Sequence, residues 1–510
     1  MDTNKVVRNT IVATSQAIVY GITLFFVYRY VLDALGAESL GVWALVLATT
    51  STASLANLGI ATSTTKFVAQ YIARDQPDTA NSIIQTAAVS VALILGIALP
   101  LVYPLISNLI GYLIQSDAYL PEAYLILPYA MLSFWLNSVS GVFQACIDGY
   151  QRVDLRGYLL IGASLLYLAL VFLLVPTRGI EGLAQAQVIQ AGILLIGSWG
   201  LLRYIMPALP IVPFRWSTAT FKEIIGYSLN FQVIAITQLL LEPVAKALLS
   251  RFAGLSTLAY FEMAHRMVFQ IRSLIAAGHQ AIVPTIADAQ ERSPGNLSKI
   301  YNYSFRLLLF LIVFGLPFCM MLTPFVSWIW IGEYNATFIL FANLLFIGWF
   351  LNLLANPAYF ANLGTGELKW NVIGHIVIGV LNLSLGIMLG RAFGGTGITI
   401  GFIAALLTGS FIIMMAYHKN YHISLLRLFS VRTVYLALAS ITALIATGFL
   451  FITYFEDLPA LTLILINLAV FLLITAWPVW QHPVPRTILS LVQSRFSPPT
   501  PDTQPGPHER

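Results

Sequence analysis

Two nine-residue stretches of this sequence lie 218 positions apart and share one pattern. They read LGAESLGVW at residues 35–43 and AGLSTLAYF at residues 253–261. Four more matches recur at offsets of 215 to 218: Arg74 with Arg292, Leu99-Pro100 with Leu316-Pro317, Asn137 and Gly149 with Asn352 and Gly364, and Gly179-Ile180 with Gly397-Ile398. A nearly constant offset predicts an internal repeat, and the alternative is chance alignment of glycine-rich turns.

The segments around these turns are apolar enough to cross a membrane. The 510 residues are 58% hydrophobic and only 9% charged, with a mean hydropathy of +0.82. These values are typical of a polytopic membrane protein. Fourteen hydrophobic spans are predicted, near residues 10–31, 41–63, 83–106, 123–146, 158–176, 183–202, 224–250, 258–284, 305–327, 337–360, 371–390, 396–417, 433–455 and 459–480.

The repeat and the spans together predict an all-α fold of two six-helix lobes. Because six spans return the chain to its starting side, both lobes insert in the same orientation, as in parallel-repeat transporters. The predicted divisions are an N-terminal lobe at 1–202, a cytoplasmic linker at 203–223, a C-terminal lobe at 224–417, an extra helix pair at 418–480 and a disordered cytoplasmic tail at 481–510.

Basic residues set the orientation. With the N-terminus in the cytoplasm, nineteen of the 26 Lys and Arg residues fall on the cytoplasmic side. The positive-inside rule therefore predicts that both termini are cytoplasmic. The net charge of +5 fits anionic lipid headgroups and is no evidence for a nucleic-acid partner.

Charged residues are unusually dense in the predicted spans between residues 224 and 284. They are Glu242, Lys246, Arg251, Glu262, His265, Arg266, Arg272 and His279. A charge near a bilayer centre costs about 2.5–3.5 kcal/mol, so such residues persist where they face a cavity, pair or hold a ligand. Helical periodicity places five of them, from Glu262 to His279, on one face, and Pro243 predicts a kink.

Two interpretations of these charges remain open. Two ion pairs, Glu242–Lys246 and Glu262–Arg266, could simply hold the helices together. Alternatively, because Arg251 and Arg272 have no obvious partner, the cations could bind an anionic ligand.

The repeat offset also pairs positions inside the membrane spans of the two lobes. Lys246 aligns with Tyr28, next to Arg29, so each lobe carries a cation near the outer end of its first helix. The hydroxyl-rich second span, from Thr49 to Ser54, predicts either a polar cavity wall or helix packing by small residues.

Sequence motifs for catalysis or metal binding are missing. The sequence has no HExxH, no Walker A loop and no Cys-rich metal spacing. His265 and His279 are seven residues apart, which favours polar cavity residues over metal ligands. We therefore expect no enzyme, no metal and no cofactor.

The six-plus-six-plus-two arrangement resembles the multidrug/oligosaccharidyl-lipid/polysaccharide (MOP) exporter superfamily. The opening of the second span at 40–43 and the inner loop at 149–152 share this resemblance, and bacterial polysaccharide or O-antigen flippases are the most similar branch. The resemblance implies a multi-pass protein of the bacterial inner membrane that translocates a polyprenyl-diphosphate-linked oligosaccharide by alternating access, for polysaccharide or lipopolysaccharide biosynthesis. It also implies that the last two spans serve the lipid tail, as in the lipid II flippase.

The same resemblance assigns roles to residues. The substrate-binding cations are then Arg29, Lys246, Arg266 and Arg272. The residues expected either to bind a coupling H⁺ or Na⁺ or to form ion pairs are Glu242, Glu262 and His265. The expected partners are the lipid-linked oligosaccharide, membrane lipids and other glycan-assembly proteins.

Three other functions are compatible with parts of the sequence. A drug exporter of the multidrug and toxin extrusion (MATE) branch would need an acidic, aromatic lumen, whereas here the intramembrane cations outnumber the anions. A glycan polymerase or ligase would need a large outer loop, and the outer loops are short. A scaffold of an envelope assembly complex is the third.

Overall fold

The computed structural model describes residues 3–57, 59–280 and 297–485, and within them the side chains of 8–55, 59–228, 240–276, 298–425 and 428–485. Every regular element in these ranges is helical. Fourteen α-helices follow in chain order: α1 Thr3–Ser51, α2 Ile60–Ala73, α3 Pro77–Leu113, α4 Leu120–Gly149, α5 Val153–Ile205, α6 Thr218–Leu239, α7 Glu242–Ala253, α8 Leu255–Gln280, α9 Leu297–Ile331, α10 Ala336–Leu353, α11 Asn356–Thr365, α12 Lys369–Asn420, α13 Val431–Tyr454 and α14 Ala460–Gln481.

Three of these helices are long enough to cross a membrane twice. α1, α5 and α12 have 49, 53 and 52 residues, and about 20 residues suffice for one crossing. Each contains one glycine with non-helical backbone angles, at Gly36, Gly179 and Gly394. Each is therefore a helix–turn–helix hairpin that makes two crossings.

Other crossings are made of two consecutive helices. α6 and α7 form one crossing, α10 and α11 form another, and α2 continues the second half of α1. Counted this way, the described residues make fourteen crossings. In the described ranges, nine helices are long and apolar enough to span a membrane by composition alone, and the charged α6–α8 region falls outside that criterion. The predicted all-α fold with fourteen spans is confirmed.

The backbone angles at the turns repeat between the two lobes. Gly36 and Gly254 have φ/ψ of 84°/171° and 87°/167°. Gly179 and Gly394 have 56°/−135° and 57°/−137°. A side chain rarely adopts such positive φ values, so glycine is required at these turns. The sequence match of Gly179 with Gly397 is therefore shifted by three residues, because Gly394 makes the equivalent turn.

The chain forms two compact units. One comprises residues 1–288 and 323–417, and the other comprises residues 289–322 and 418–510. The charged residues of α7 and α8 all belong to the first unit. The second unit packs α9, α13 and α14 through aromatic side chains, with Phe318 and Phe471 ring centroids 5.5 Å apart.

Candidate functional site

A buried ion-pair network joins α1, α7 and α8. The Glu262 carboxylate lies 2.6 Å from the Lys246 Nζ and 2.7 Å from the Arg266 Nε. It also accepts a hydrogen bond of 3.0 Å from the Tyr28 hydroxyl. Lys246 in turn lies 2.5 Å from Glu242. The two ion pairs suggested by the sequence therefore both form, and Lys246 fuses them into one network.

The Glu262 carboxylate is bound by side chains at equivalent positions of the two repeats. Tyr28 and Lys246 are 218 residues apart, which is the offset between the two glycine turns. Both side chains reach the same carboxylate, whose residue is 1% exposed. Because three donors surround one buried carboxylate, the charge of Glu262 is well compensated.

A break in the seventh crossing positions Glu242. Pro243 lies in the first turn of α7, after a turn at Leu240 and Leu241 that interrupts the crossing. The carbonyls of Leu240 and Leu241 accept hydrogen bonds of 2.9 and 2.8 Å from the Asn382 amide. A freed carbonyl inside a membrane needs such a donor. The predicted kink is confirmed, with Asn382 as its stabilising partner.

His265 is enclosed by aromatic rings. Its ring centroid lies 5.7 to 6.2 Å from those of Phe261, Phe269, Trp349 and Phe402. Its Nδ1 is 3.8 Å from the Glu242 carboxylate. Neither ring nitrogen has a hydrogen-bond partner among the described residues.

A cavity of about 160 Å³ opens on the N-lobe side of the network. Its lining is neutral except for Arg266, and its hydroxyl and amide side chains come from three crossings: Tyr20, Thr23, Tyr28, Ser164, Tyr167, Gln187 and Gln190. The Arg266 Nε is bound to Glu262, whereas its two Nη groups have no acceptor in the described part of the chain. This cavity therefore offers hydroxyls, amides and one guanidinium.

A second cavity of about 220 Å³ lies on the C-lobe side. Its polar lining is Glu242, Arg272, Asn352 and His375, and Phe269 and Trp349 supply aromatic walls. The network thus borders two cavities of different chemistry. No group of three or more His, Cys, Asp or Glu side chains in the described ranges could hold a metal ion.

Arg272 has no carboxylate partner within the described ranges. Its Nη2 donates to the Asn352 Oδ1 at 3.2 Å, and its guanidinium lies 4.6 Å from the Trp349 ring centroid. The Nε is buried and finds no acceptor among the described residues. Arg272 is therefore a cation held by neutral groups, with N–H donors left over for a ligand.

Other predicted residues lie apart from the network. Arg29 donates to the Ile329 carbonyl and lies 3.5 Å from the Asp33 carboxylate. Arg251 packs over the Tyr112 ring, 4.6 Å from its centroid. The structure does not bring Arg29 to Lys246, Arg266 and Arg272, and its substrate-binding role stays a prediction. The His279 side chain and Arg292 lie outside the described residues.

The hydroxyl-rich segment contributes little to either cavity. Thr49, Ser51 and Thr52 donate to carbonyls one turn earlier in their own helix. α1 ends at Ser51, and a 3₁₀ segment at 52–57 follows. The packing interpretation of this segment is favoured, and the polar wall is built elsewhere.

Sequence reasoning missed the glutamines of α5 and the aromatic and amide residues of the C-lobe cavity. The only sequence signal for Gln187 and Gln190 is their spacing of three within an apolar run. Trp349 and Asn352 were recognisable as an aromatic–amide pair at the same spacing in α10, and His375 lies in an apolar run of α12.

The comparisons with known proteins agree with this architecture. Residues 6–290 match the family model described as "Polysaccharide biosynthesis protein". This chain belongs to that family. Among curated protein sequences, no match is found.

Solved structures of MOP transporters share the fold. An inward-facing multidrug resistance MATE family transporter has a TM-score of 0.70 at 15% identity and covers 80% of this chain and 98% of its own. The lipid II flippase MurJ in an inward closed conformation has a TM-score of 0.68 at 14% identity, and the match covers 92% of this chain and 98% of MurJ. A MOP superfamily transporter from Pyrococcus furiosus, described by a reversed polarity of its binding pocket, has a TM-score of 0.56 at 16% identity. The match covers 82% of this chain and 95% of that structure. The chain is thus a multi-pass membrane protein with the MOP fold.

Proposed function

We propose that this protein flips a polyprenyl-diphosphate-linked oligosaccharide across the bacterial inner membrane during polysaccharide or O-antigen synthesis. Membership of the polysaccharide biosynthesis family supports the substrate class, and the MOP fold supports transport. The observation that carries the proposal is Arg272, a cavity-lining cation with no carboxylate partner among the described residues and a free buried donor. No cofactor enters the proposal.

A diphosphate is the chemical group that this arrangement suits. Moving its negative charge through about 30 Å of hydrocarbon is costly without compensation. A guanidinium supplies planar, charge-assisted hydrogen bonds to phosphate oxygens. Arg272 and the Nη groups of Arg266 face the two cavities with such donors. Lys246 is neutralised by two carboxylates, so its contribution to phosphate binding is indirect.

The N-lobe cavity suits the sugars. Its tyrosine, threonine, serine and glutamine side chains can donate to and accept from glycan hydroxyls. In the proposed cycle, the N-lobe (1–202) and the C-lobe (224–417) rock about this site and open alternately to the two sides, with both termini cytoplasmic.

Glu242 is the candidate for coupling to H⁺ or Na⁺. Its side chain is 35% exposed, whereas that of Glu262 is 1% exposed. Glu242 also lies beside the unpaired His265 ring. An accessible carboxylate can bind and release a cation during each cycle, while Glu262 is locked among its three donors and serves the ion pairs.

The test is translocation by Arg272→Ala in proteoliposomes with a polyprenyl-diphosphate-linked disaccharide as probe. We expect a loss of about a hundredfold, equivalent to two charge-assisted hydrogen bonds of about 1.5 kcal/mol each. Arg272→Lys keeps the charge and should retain part of the activity. Arg391→Ala, at an exposed position, is the matched control and should transport normally. Normal transport by Arg272→Ala would refute the phosphate-binding role.

Export of cationic drugs is the second candidate function. The C-lobe cavity combines the half-buried Glu242 carboxylate with Phe269 and Trp349, which is the acidic, aromatic lining that a cationic drug would need. Glu242→Gln should abolish drug resistance if this candidate is correct, and Arg272→Ala should then increase it by removing a repelling charge.

A further inference from the structure

An apolar groove lies between the end of α10, the residues that link α10 to α11, and α12, beside the C-lobe cavity. Its volume is about 400 Å³, within the range of small-molecule sites. Leucine, phenylalanine and methionine side chains form most of its wall: Leu351, Leu354, Leu407, Phe411 and Met414. Thr408 and Ser410 are its hydroxyl residues. Each donates to a carbonyl of its own helix, so the groove presents a hydrocarbon surface.

The groove coincides with the break in the tenth crossing. α10 ends at Leu353, and α11 begins at Asn356 with Pro357 in its first turn. Closer to the start of α10 the helices pack tightly, because a Cβ added to Gly348 would lie 2.8 Å from the Ile403 Cγ1. The bend at the break leaves room that straight, tightly packed helices would fill.

A chain of hydrogen bonds connects the groove wall to the unpaired cation. Arg272 donates to the Asn352 side chain at 3.2 Å, and Asn352 donates to the Ser410 hydroxyl at 2.6 Å. Asn352 lines the C-lobe cavity, and Ser410 lines the groove. A phosphate donor and a hydrocarbon surface are therefore separated by one amide and one hydroxyl.

We propose that this groove binds the isoprenoid tail of the substrate while Arg272 binds its diphosphate. The inference rests on the proposed flippase function and assigns it a tail subsite in the broken tenth crossing, in place of the last two spans that the resemblance to the lipid II flippase implied. Lipid chains are as apolar as the groove, so the groove alone provides little affinity for a tail. The adjacent cation makes the site selective, because it holds the anionic head where the tail can enter the groove.

A second apolar groove in the same protein is a matched control. It lies between α3 and α4, has a volume of about 610 Å³, and is lined by residues that include Pro100, Leu132 and Trp135. Its lining has no charged side chain. It should therefore hold whichever lipid chains surround the protein, without preference for a prenyl diphosphate.

Photo-crosslinking in vesicles tests which lipid occupies the groove between α10 and α12. The full-length protein carries p-benzoylphenylalanine in place of Phe411 or, as control, Leu132. The vesicles contain phosphatidylethanolamine, phosphatidylglycerol and undecaprenyl diphosphate, and mass spectrometry identifies the adducts. We expect mainly prenyl adducts at 411 that fall at least about tenfold in Arg272→Ala, since one charge-assisted pair is worth that much. Phospholipid adducts alone at 411, as at 132, would overturn the proposal.

Filling the groove gives an independent functional measurement. Thr408→Trp places an indole in the groove at an exposed position and should slow translocation about tenfold, the usual scale of steric overpacking. Leu132→Trp should leave it unchanged. Normal translocation by Thr408→Trp, with Arg272→Ala inactive, refutes the tail subsite alone. Normal translocation by Arg272→Ala refutes the phosphate-binding role of Arg272, and a wild-type protein that does not translocate the probe refutes the flippase proposal itself.

Discussion

The two lobes have the same backbone turns but opposite chemistry. The turns at Gly36 and Gly254 agree within a few degrees. Yet at an offset of 218 the positions of Glu262 and His265 hold Ala44 and Leu47 in the N-lobe. One repeat therefore carries the charged network, and the other supplies an apolar and polar-neutral surface against it.

The first crossings of the lobes differ in the same way. α1 runs without interruption to Gly36, while its counterpart is broken into α6 and α7 at Pro243. At the break the Asn382 amide donates to the carbonyls of Leu240 and Leu241, and the Leu241 carbonyl also accepts from the Ala245 N–H. Both repeats have the same turns, but only the broken crossing contributes Glu242 and Lys246 to the network. Irregular backbone inside a membrane protein is typical of binding sites.

The largest expected effect comes from removing the carboxylate that joins the lobes. Glu262→Leu leaves Lys246 with one carboxylate and Arg266 with none, and breaking a buried pair in this way costs about 3–5 kcal/mol. Gln187→Leu, in the neutral N-lobe cavity, should change stability little, because its Oε1 accepts no hydrogen bond from the described residues. Thermal unfolding in detergent measures both. Equal destabilisation by the two variants would contradict the assignment of the charge network to one lobe.

The sequence predicted the fold better than the site. Apolar periodicity gives the spans directly, and the glycine turns are visible because no other residue accepts their positive φ. The site depends on which crossings become neighbours. Neither the contact of Tyr28 with Glu262, across 234 residues, nor the pairing of Arg272 with Asn352 follows from spacing on one helix.

The position of Arg29 shows the same limit. Repeat alignment placed it next to Tyr28, the counterpart of Lys246, in the first crossing. It could not reveal that the Ile329 carbonyl and Asp33 would hold its guanidinium away from the network. In contrast, the i, i+4 pairs Glu242–Lys246 and Glu262–Arg266 were predicted correctly, because that spacing brings side chains together on any helix.

A double variant separates the structural role of Arg266 from substrate binding. Glu262→Gln alone deprives Arg266 of its carboxylate, whereas Arg266→Gln alone leaves Glu262 paired with Lys246 and should be milder. Glu262→Gln/Arg266→Gln should regain about 2 kcal/mol over the first variant, because no cation is then left without a partner.

Stability and translocation should respond differently in that double variant. If the Arg266 Nη groups bind diphosphate, the recovered protein stays inactive, since the phosphate has lost its donor. Thermal unfolding and translocation measured on the same preparation distinguish the two roles. Full recovery of translocation would show that Arg266 only pairs with Glu262.

The smallest effect tests the similarity of the lobes rather than their difference. At both Gly36 and Gly254, a Cβ would meet at most the flexible Glu38 side chain, at 3.8 Å from Gly36. Alanine there is therefore strained only by its backbone, at about 1–3 kcal/mol. Gly36→Ala and Gly254→Ala should lower the unfolding temperature equally, although only the second lies beside the charged network. Gly448→Ala, within α13 where nothing lies within 4 Å, is the control and should be neutral or stabilising, because alanine is the better helix former. A much larger loss for Gly254→Ala would mean that its turn also positions the network, and that the two repeats have diverged in backbone as well as in charge.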